Sequence, residues 1–465
     1  MACVVHRPPH PAFSRILARM KREDFGSDFI WGVGTSAYQI EGYPYADGAG
    51  ESIWDRFCRL PGRIRHSHTG DRACEHYLKW EKDLDLVRDL NFPNYRFSTA
   101  WSRVLPNGTG AVNQAGLDYY NRLVDGCLER GIEPWVTLYH WDLPQILEDK
   151  GGWANREMLD WFQEYVALMA NTLGDRVRNW MVLNEPAVFV GLGYGLGRHA
   201  PGKRDWYRLP AAIHHAALAQ ADGGRLLREL TDPRSRIGTT LSITPLQPVR
   251  NRRWHRFAVK RRNLLLNRLF LEPALGLGYP VQDFTGLRAL YRLMQPGDPD
   301  RLMFNFDFLG VQNYTRQVVR FSAFPPYLWS RAVDPEKQGV PTSSNGWEVN
   351  PESLYSALKF FTGYTNCPPL LVSENGVAFR DIVQGERVHD SGRVAYFREA
   401  LAQIRRVQQE GQRVMGYMAW TLMDNFEWAD GYDTRFGLVY VDFEQQKRLI
   451  KDSGYWFQSF LERNP

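Results

Sequence analysis

A single (β/α)8 barrel is the fold this sequence predicts, and three observations predict it. Eight apolar, strand-like runs recur along the chain, each followed by polar or glycine-containing sequence. The segments between them are long enough to hold helices. Alternation of this kind builds a parallel sheet, and eight repeats close it into a barrel. Finally, Glu185 and Glu374 each stand just past a short apolar run, 374 − 185 = 189 residues apart. That end of a strand is where parallel α/β folds open to ligand. Two such carboxyls can meet only if their strands surround a common centre.

The runs are 29–34, 94–98, 134–139, 180–183, 237–243, 308–311, 370–373 and 414–420. Trp180-Met181-Val182-Leu183 leads into Asn184-Glu185-Pro186, and Leu370-Leu371-Val372-Ser373 leads into Glu374-Asn375-Gly376. Short apolar runs stopped by turn residues read as buried strands. Between them, 114–130 carries Leu117, Tyr120, Val124 and Leu128 on one helical stripe before a stop at Gly131. A second helix is expected over 156–173, with Met158, Trp161, Phe162, Tyr165 and Leu168. The basic run 250–262 places Trp254, Phe257 and Ala258 at helical spacing, which favours a solvated helix face over a polyanion site. The longest irregular stretch, 321–350, contains Pro325-Pro326, Pro341 and Asn345-Gly346. A loop of that length is expected to be functional or disordered, and here it would cover the barrel mouth.

No low-complexity linker splits the chain, so residues 23–465 read as one catalytic-sized domain. Residues 1–22 contain no acid, several Arg and an early Pro8-Pro9 pair, without the apolar core of a secretory signal. They read as a disordered extension, with a transit peptide as the alternative and Met20 beginning the body. A length of 465 residues is long for one domain, but barrels with rim loops reach it. The apolar share of 44% is ample for a core, and no run of about 18 apolar residues exists to cross a membrane. A net charge of +5 argues for neither nucleic acid nor an acidic partner. Cys3, Cys58, Cys74, Cys127 and Cys367 show neither metal spacing nor a disulfide framework. Reduced thiols in a cytoplasmic protein are the simplest reading.

Polar or aromatic residues gather at the strand ends. Gln39 follows the first strand, Arg96 lies in the second and His140 ends the third; Glu185, Tyr314, Glu374 and Trp420 end the fourth, sixth, seventh and eighth. For any one of them packing is the ordinary explanation. Their recurrence at one end of a barrel argues for a site. Two carboxyls across a cleft are the working parts of a glycosidase, one protonated and one ionised. Glu185, flanked by Pro186-Ala187-Val188-Phe189, suits the acid. Glu374, if Arg96 and Tyr314 reach it, suits the nucleophile. A separation of about 5 Å would mean retention, and appreciably more would mean inversion. The run Trp420–Trp428 puts two indoles and Glu427 within nine residues. An indole face stacks on a pyranose while nearby carboxylates take its hydroxyls. Most of the 16 Trp are core residues on this reading, but not these two.

These motifs together resemble glycoside hydrolase family 1, the retaining β-glucosidase family, from about Phe25 to Phe460. The resemblance rests on Phe29-Ile30-Trp31-Gly32 through Gln39-Ile40-Glu41-Gly42, on Gly50-Glu51-Ser52-Ile53-Trp54-Asp55, and on Tyr95-Arg96-Phe97-Ser98. It continues through Thr137-Leu138-Tyr139-His140-Trp141-Asp142-Leu143-Pro144, Asn184-Glu185-Pro186, Ser373-Glu374-Asn375-Gly376 and the Trp420–Trp428 run. It implies a double displacement, with Glu374 as nucleophile and Glu185 as acid/base. Gln39, His140, Asn184, Glu427 and Trp428 would bind the sugar hydroxyls, and Trp420 would stack beneath the ring. Arg96 and Tyr314 would hold Glu374, and Trp347 would flank the aglycone. No cofactor or metal is implied, and the partners are small β-glycosides.

Two departures stand out. Gln312-Asn313-Tyr314 replaces the usual Asn-Tyr-Tyr, leaving open which neighbour stands for the Asn, and Ala187 replaces a common Trp. Two retentions matter as well. Glu427-Trp428 is the pattern of enzymes for unphosphorylated sugars, and Glu at 185 resembles the O-glycosidases rather than the thioglucosidase branch. Glucose is the first expectation for the sugar, with β-galactosides and β-fucosides as secondary substrates. The competing readings are a non-catalytic sugar binder, a transglycosylase, and a metal-dependent hydrolase using His140, Asp142, His199 and His214-His215. Oligomeric state is not legible.

Overall fold

The computed structural model describes residues 20–324 and 328–462. Eight parallel strands close into a barrel in chain order. They are β1 (Ile30–Gly34), β2 (Asn94–Ser98), β3 (Glu133–Tyr139), β4 (Asn179–Asn184), β5 (Arg236–Ser242), β6 (Phe308–Gln312), β7 (Leu370–Asn375) and β8 (Val414–Trp420). Gly34 of β1 stands opposite Arg96 on one side and Trp420 on the other, which joins the first strand to the last. Every expected run is a strand. The ends of β4, β6 and β7 extend past the apolar runs, because Asn184, Gln312 and Asn375 stay in the ladder while carrying polar side chains.

The barrel interior is plugged by Trp135, Met181, Phe308, Leu371 and Met418, a separate buried cluster. Layers of this kind make the barrel a packed core and not a pore. Helices cover the outside. Gln114–Glu129 buries Leu117, Tyr120, Leu123, Val124 and Cys127, but the expected stripe ends early, since Leu128 is exposed. Met158–Leu173 buries Met158, Phe162, Tyr165, Val166 and Met169, leaving Trp161 and Leu168 at the edge of the core.

The stretch 321–350 is more ordered than its composition suggests. Strands Leu246–Pro248, Gln317–Phe321 and Ser330–Ala332 form a three-stranded sheet on the rim, and Thr342 bridges Glu348. Strands of three to five residues that pair across about 70 residues of sequence leave no periodic signal. Pro325 and Pro326 lie outside the described residues. The basic run is the helix Arg253–Asn263, but Trp254 and Phe257 are exposed and only Ala258 of that trio is buried. The helix docks instead through Arg261, whose guanidinium lies over the rings of Phe284 and Trp329.

Met20 packs against the core and Arg22 opens a short 3-10 turn, so the described body begins at Met20 and includes residues 20–22 of the expected extension 1–22. Residues 1–19, including Cys3, lie outside the described part. Cys58, Cys74, Cys127 and Cys367 are free thiols. No helix among the described residues is long and apolar enough to cross a membrane.

Candidate active site

The C-terminal strand ends bring the predicted residues together around Glu374. The pairing of β7 with β6 shifts register between Val372 and Glu374, and that of β4 with β5 shifts between Met181 and Asn184. Irregularities of this kind re-aim side chains and recur next to active sites. Both carboxyl strands carry one.

Glu374 is 3% exposed and takes three donors. Arg96 Nη1 and Gln312 Nε2 donate to Oε1, the latter at 2.7 Å, and the Tyr314 hydroxyl donates to Oε2 at 2.6 Å. Burial raises the Glu374 carboxyl above its ordinary range, opposed by the charge of Arg96 and by the hydrogen bonds of Tyr314 and Arg96. Burial and the adjoining carboxylates keep the Tyr314 phenol protonated, so it remains a donor.

Glu185 occupies a different setting. Its backbone is left-handed, with φ 47°, at the N-cap of the helix Pro186–Val190, where Pro186 suits the first helical position. A non-glycine residue holds that conformation at a cost, which is common where a side chain must be aimed. Burial first, and then the negative charge of Glu374, push its carboxyl up to about 8, against the pull of the Ser242 hydroxyl and Arg96. At neutral pH Glu185 therefore keeps its proton.

Asn184 ties the floor of the site together. Its Oδ1 accepts from Arg96 Nη2 at 2.6 Å, Gln312 Nε2 at 2.7 Å and Thr240 Oγ1 at 2.8 Å. Its Nδ2 donates to His140 Nε2 at 3.0 Å. Burial, reinforced by Arg96, holds His140 well below its ordinary value, so the ring is neutral. With Nε2 accepting, the ring proton sits on Nδ1, which bonds to no protein atom.

One wall of the site is aromatic. Trp420 lies nearly parallel to His140 at 6.0 Å. Trp428 packs on Trp54 at 4.5 Å, Trp141 at 4.6 Å and His140 at 5.9 Å. Both indoles are almost fully buried, so each serves the core as well as the wall. Gln39 spends most of its amide inside the protein: Nε2 reaches Asn425 Oδ1 at 3.0 Å and the Phe426 carbonyl at 2.9 Å, and Glu427 only at 3.4 Å. Burial and neighbouring carboxylates push Glu427 well above the usual carboxylate range. Trp347 is 40% exposed and meets Tyr314 at 5.7 Å and Phe436 at 6.2 Å, at the outer edge.

The structure adds residues that the sequence reading left open or missed. Gln312, not Asn313, takes the place beside Glu374; Asn313 Nδ2 turns away to the Ile243 carbonyl. Its position two residues before Tyr314, at a strand end, was the available signal. Trp54, Trp141 and Asn425 lie inside the motif runs with no role assigned to them, and Phe436 carried no signal. The histidines do not converge: His214 bonds Tyr279 and Asp298, His215 bonds the Trp153 carbonyl, and His199 packs on Trp54 and Trp141. Among the described residues no group of three or more His, Cys, Asp or Glu is placed to hold a metal.

Comparison with known proteins agrees with this geometry. The family model for glycosyl hydrolase family 1 matches residues 21–465. β-Glucosidase A of Thermotoga maritima is 42% identical over 447 residues, covering 96% of this chain and 99% of that protein. A 1,4-β-D-glucan glucohydrolase of Thermotoga neapolitana is 41% identical, covering 95% and 98%. A bifunctional β-D-glucosidase/β-D-fucosidase of Bifidobacterium breve is 38% identical, covering 94% and 98%. Among solved structures, the family 1 β-glucosidase from Thermotoga maritima superposes with a TM-score of 0.89 at 42% identity, covering 94% of this chain and 97% of that one.

Proposed function

The chain belongs to glycosyl hydrolase family 1, and from that premise we propose that it is a β-glucosidase releasing terminal β-D-glucosyl residues with retention, through a covalent intermediate on Glu374. The observation that carries this reading is the unequal setting of the two carboxyls. Glu374 is held by three donors that favour its ionised form, while Glu185 is pushed up to about 8. Environments that separate two carboxyls in this way assign the nucleophile and the acid. Glu374 attacks the anomeric carbon while Glu185 protonates the departing oxygen. Glu185, now ionised, then takes a proton from the water that frees the sugar.

His140 Nδ1–H and the second N–H of Asn184 are proposed to bind hydroxyls of the ring. Glu427, Gln39 and Trp428 bind those on the far side, Trp420 lies beneath, and Trp347 flanks the aglycone. Galactosides and fucosides are proposed as secondary substrates. The Bifidobacterium breve relative is named for fucoside as well as glucoside, and the Thermotoga maritima β-glucosidase has been solved with a galacto-hydroximolactam. The free thiols fit a cytoplasmic setting.

The test is mass spectrometry after incubation with an activated 2-deoxy-2-fluoro-β-glucoside, followed by peptide mapping. The fluorine slows both steps and the good leaving group speeds the first, so an adduct accumulates. A label on Glu374 is expected. Hydrolysis of an ordinary aryl glucoside without any label would return inversion to consideration. A chelator is expected to leave the rate unchanged.

A further inference from the structure

Beside Tyr38, which stacks on Trp428 at 6.2 Å, lies a cavity of about 30 Å³ lined by none of the residues assigned to the reaction. Its lining includes Glu41, Asp55, Arg103 and Asp142, all at most 4% exposed. Glu41 is matched: Oε2 takes Arg103 Nε at 2.9 Å, and Oε1 takes the Tyr120 hydroxyl at 2.8 Å. Asp55 is half matched, with Oδ2 accepting from the Ser52 N–H and hydroxyl. Four polar atoms around the same space bond to no protein atom: Asp142 Oδ1 and Oδ2, Asp55 Oδ1 and Arg103 Nη1. Asp142 thus has no side-chain partner at all.

Buried polar groups are satisfied by protein or by ordered water. A water needs about 10–15 Å³ of such volume and two to four polar partners, so this space holds one or two. Charge decides the state of Asp142. Three carboxyls face a single guanidinium, which Glu41 already engages. An unpaired buried carboxylate is far costlier than a neutral acid that can donate.

We propose that the cavity is a built water site in which Asp142 remains a neutral acid, donating through one or two waters shared with Asp55 and Arg103. Asp142 is thereby a positioning residue for His140. Burial and the charges of Glu41 and Asp55, against the pull of Arg103, act in the same direction on its carboxyl. The link to His140 is the turn His140-Trp141-Asp142, whose middle residue has φ 83°. A non-glycine residue stays in that region only where its surroundings over-determine it. On one side Trp141 Nε1 donates to the Asn184 carbonyl at 2.8 Å. On the other, the Ile53 N–H bonds the Leu143 carbonyl and the Gln145 N–H bonds the Glu51 carbonyl. The Asp142 water site closes the gap between these anchors, and so fixes where the His140 Nδ1–H points.

The inference of a positioning role rests on the β-glucosidase reading; the water site does not. The first measurement is therefore spectroscopic. The full-length protein, labelled with 13C at the aspartate carboxyl, is compared in D2O with Asp142→Asn by infrared difference spectroscopy at pH 7. A protonated-carboxyl C=O band that shifts with the label and is missing from the variant is expected. Carboxylate bands in its place would overturn the neutral acid. Glutamates, Glu185 included, do not shift with this label.

Kinetics on an aryl β-glucoside follow. Asp142→Asn, which can still donate and accept, is expected within about threefold of wild-type kcat/KM. Asp142→Val, folded by circular dichroism, is expected at least tenfold lower. Equal activity in the two variants would overturn the positioning role, whichever way the infrared result falls. If wild type itself lacked glycosidase activity, the infrared result would still test the water site.

Discussion

The nucleophile's partners set what single substitutions should do. Gln312 Nε2 donates to both Glu374 and Asn184, so Gln312→Ala removes one donor from each of two groups at once. Loss of a donor to an ionised carboxyl raises its pKa. The acid limb of the kcat/KM profile should therefore move to higher pH, with a fall of about 100-fold, comparable to the loss of one transition-state donor. An unmoved limb would mean that Gln312 only packs. Glu185 governs the other limb, and it also carries a cost in stability. Its folded value is about 8, against ~4.3 for a free glutamate. Between those values the folded chain holds a proton that the unfolded chain has released, so its contribution is full below the lower value and is lost as pH rises through the upper. Glu185→Gln removes that dependence. The Tm of the variant minus that of wild type should grow from pH 4 to pH 9, as differential scanning calorimetry would show. At this scale the sequence was informative wherever a carboxyl followed an apolar run, as at Glu185 and Glu374. It left Gln312 against Asn313 open, although alternation along a strand puts Gln312 on the same side as Tyr314, where both reach Glu374.

Among elements, the barrel strands and the rim were legible to different degrees, for a physical reason. Strand β8 coincides with its apolar run because burial on both faces demands continuous hydrophobicity, whereas β2 coincides with its run although Asn94, Arg96 and Ser98 alternate along it. The rim sheet of Leu246–Pro248, Gln317–Phe321 and Ser330–Ala332 is mostly solvent-facing, and only its pairing defines it. The Arg253–Asn263 helix was placed correctly, but its docking through Arg261 was hidden, since stacking of a guanidinium on rings leaves no hydrophobic period. The rim element that holds Trp347 should act on the aglycone alone. Its indole stands outside Tyr314 and Phe436 and has no hydrogen bond to either glutamate. A stacked ring is worth about 0.5–1.5 kcal/mol beyond area burial. Trp347→Ala should then lower kcat/KM about 3- to 10-fold for a phenyl β-glucoside and less than twofold for methyl β-glucoside. Equal losses on both would place Trp347 in the sugar site instead.

Taken as a whole, the molecule assembles its site from both ends of the described chain. Gly34 pairs with Trp420 in the closing strands, and Gln39 reaches Asn425 across 386 residues of sequence. Glu374 is held by Arg96 from β2 and by Gln312 and Tyr314 at the end of β6. No half of the barrel contains a working site, so the sugar-binding floor cannot be lost without opening the ring of strands. The rim is different, because its sheet pairs with no barrel strand. In a urea titration, hydrolysis of methyl β-glucoside and the fluorescence of the buried tryptophans should therefore fall in one coincident transition, as expected of cooperative unfolding. The ratio of phenyl to methyl glucoside hydrolysis should begin to fall earlier, as the Trp347 segment loosens. A saturating sugar-mimic inhibitor supplies the control. At 100 times its Kd it adds about 2.7 kcal/mol to the stability of whatever unit contains the site. If that unit is the whole barrel, the fluorescence and activity midpoints must move together. A shift in activity alone would mean that the floor of the site unfolds on its own, and that closure of β1 on β8 does not govern it.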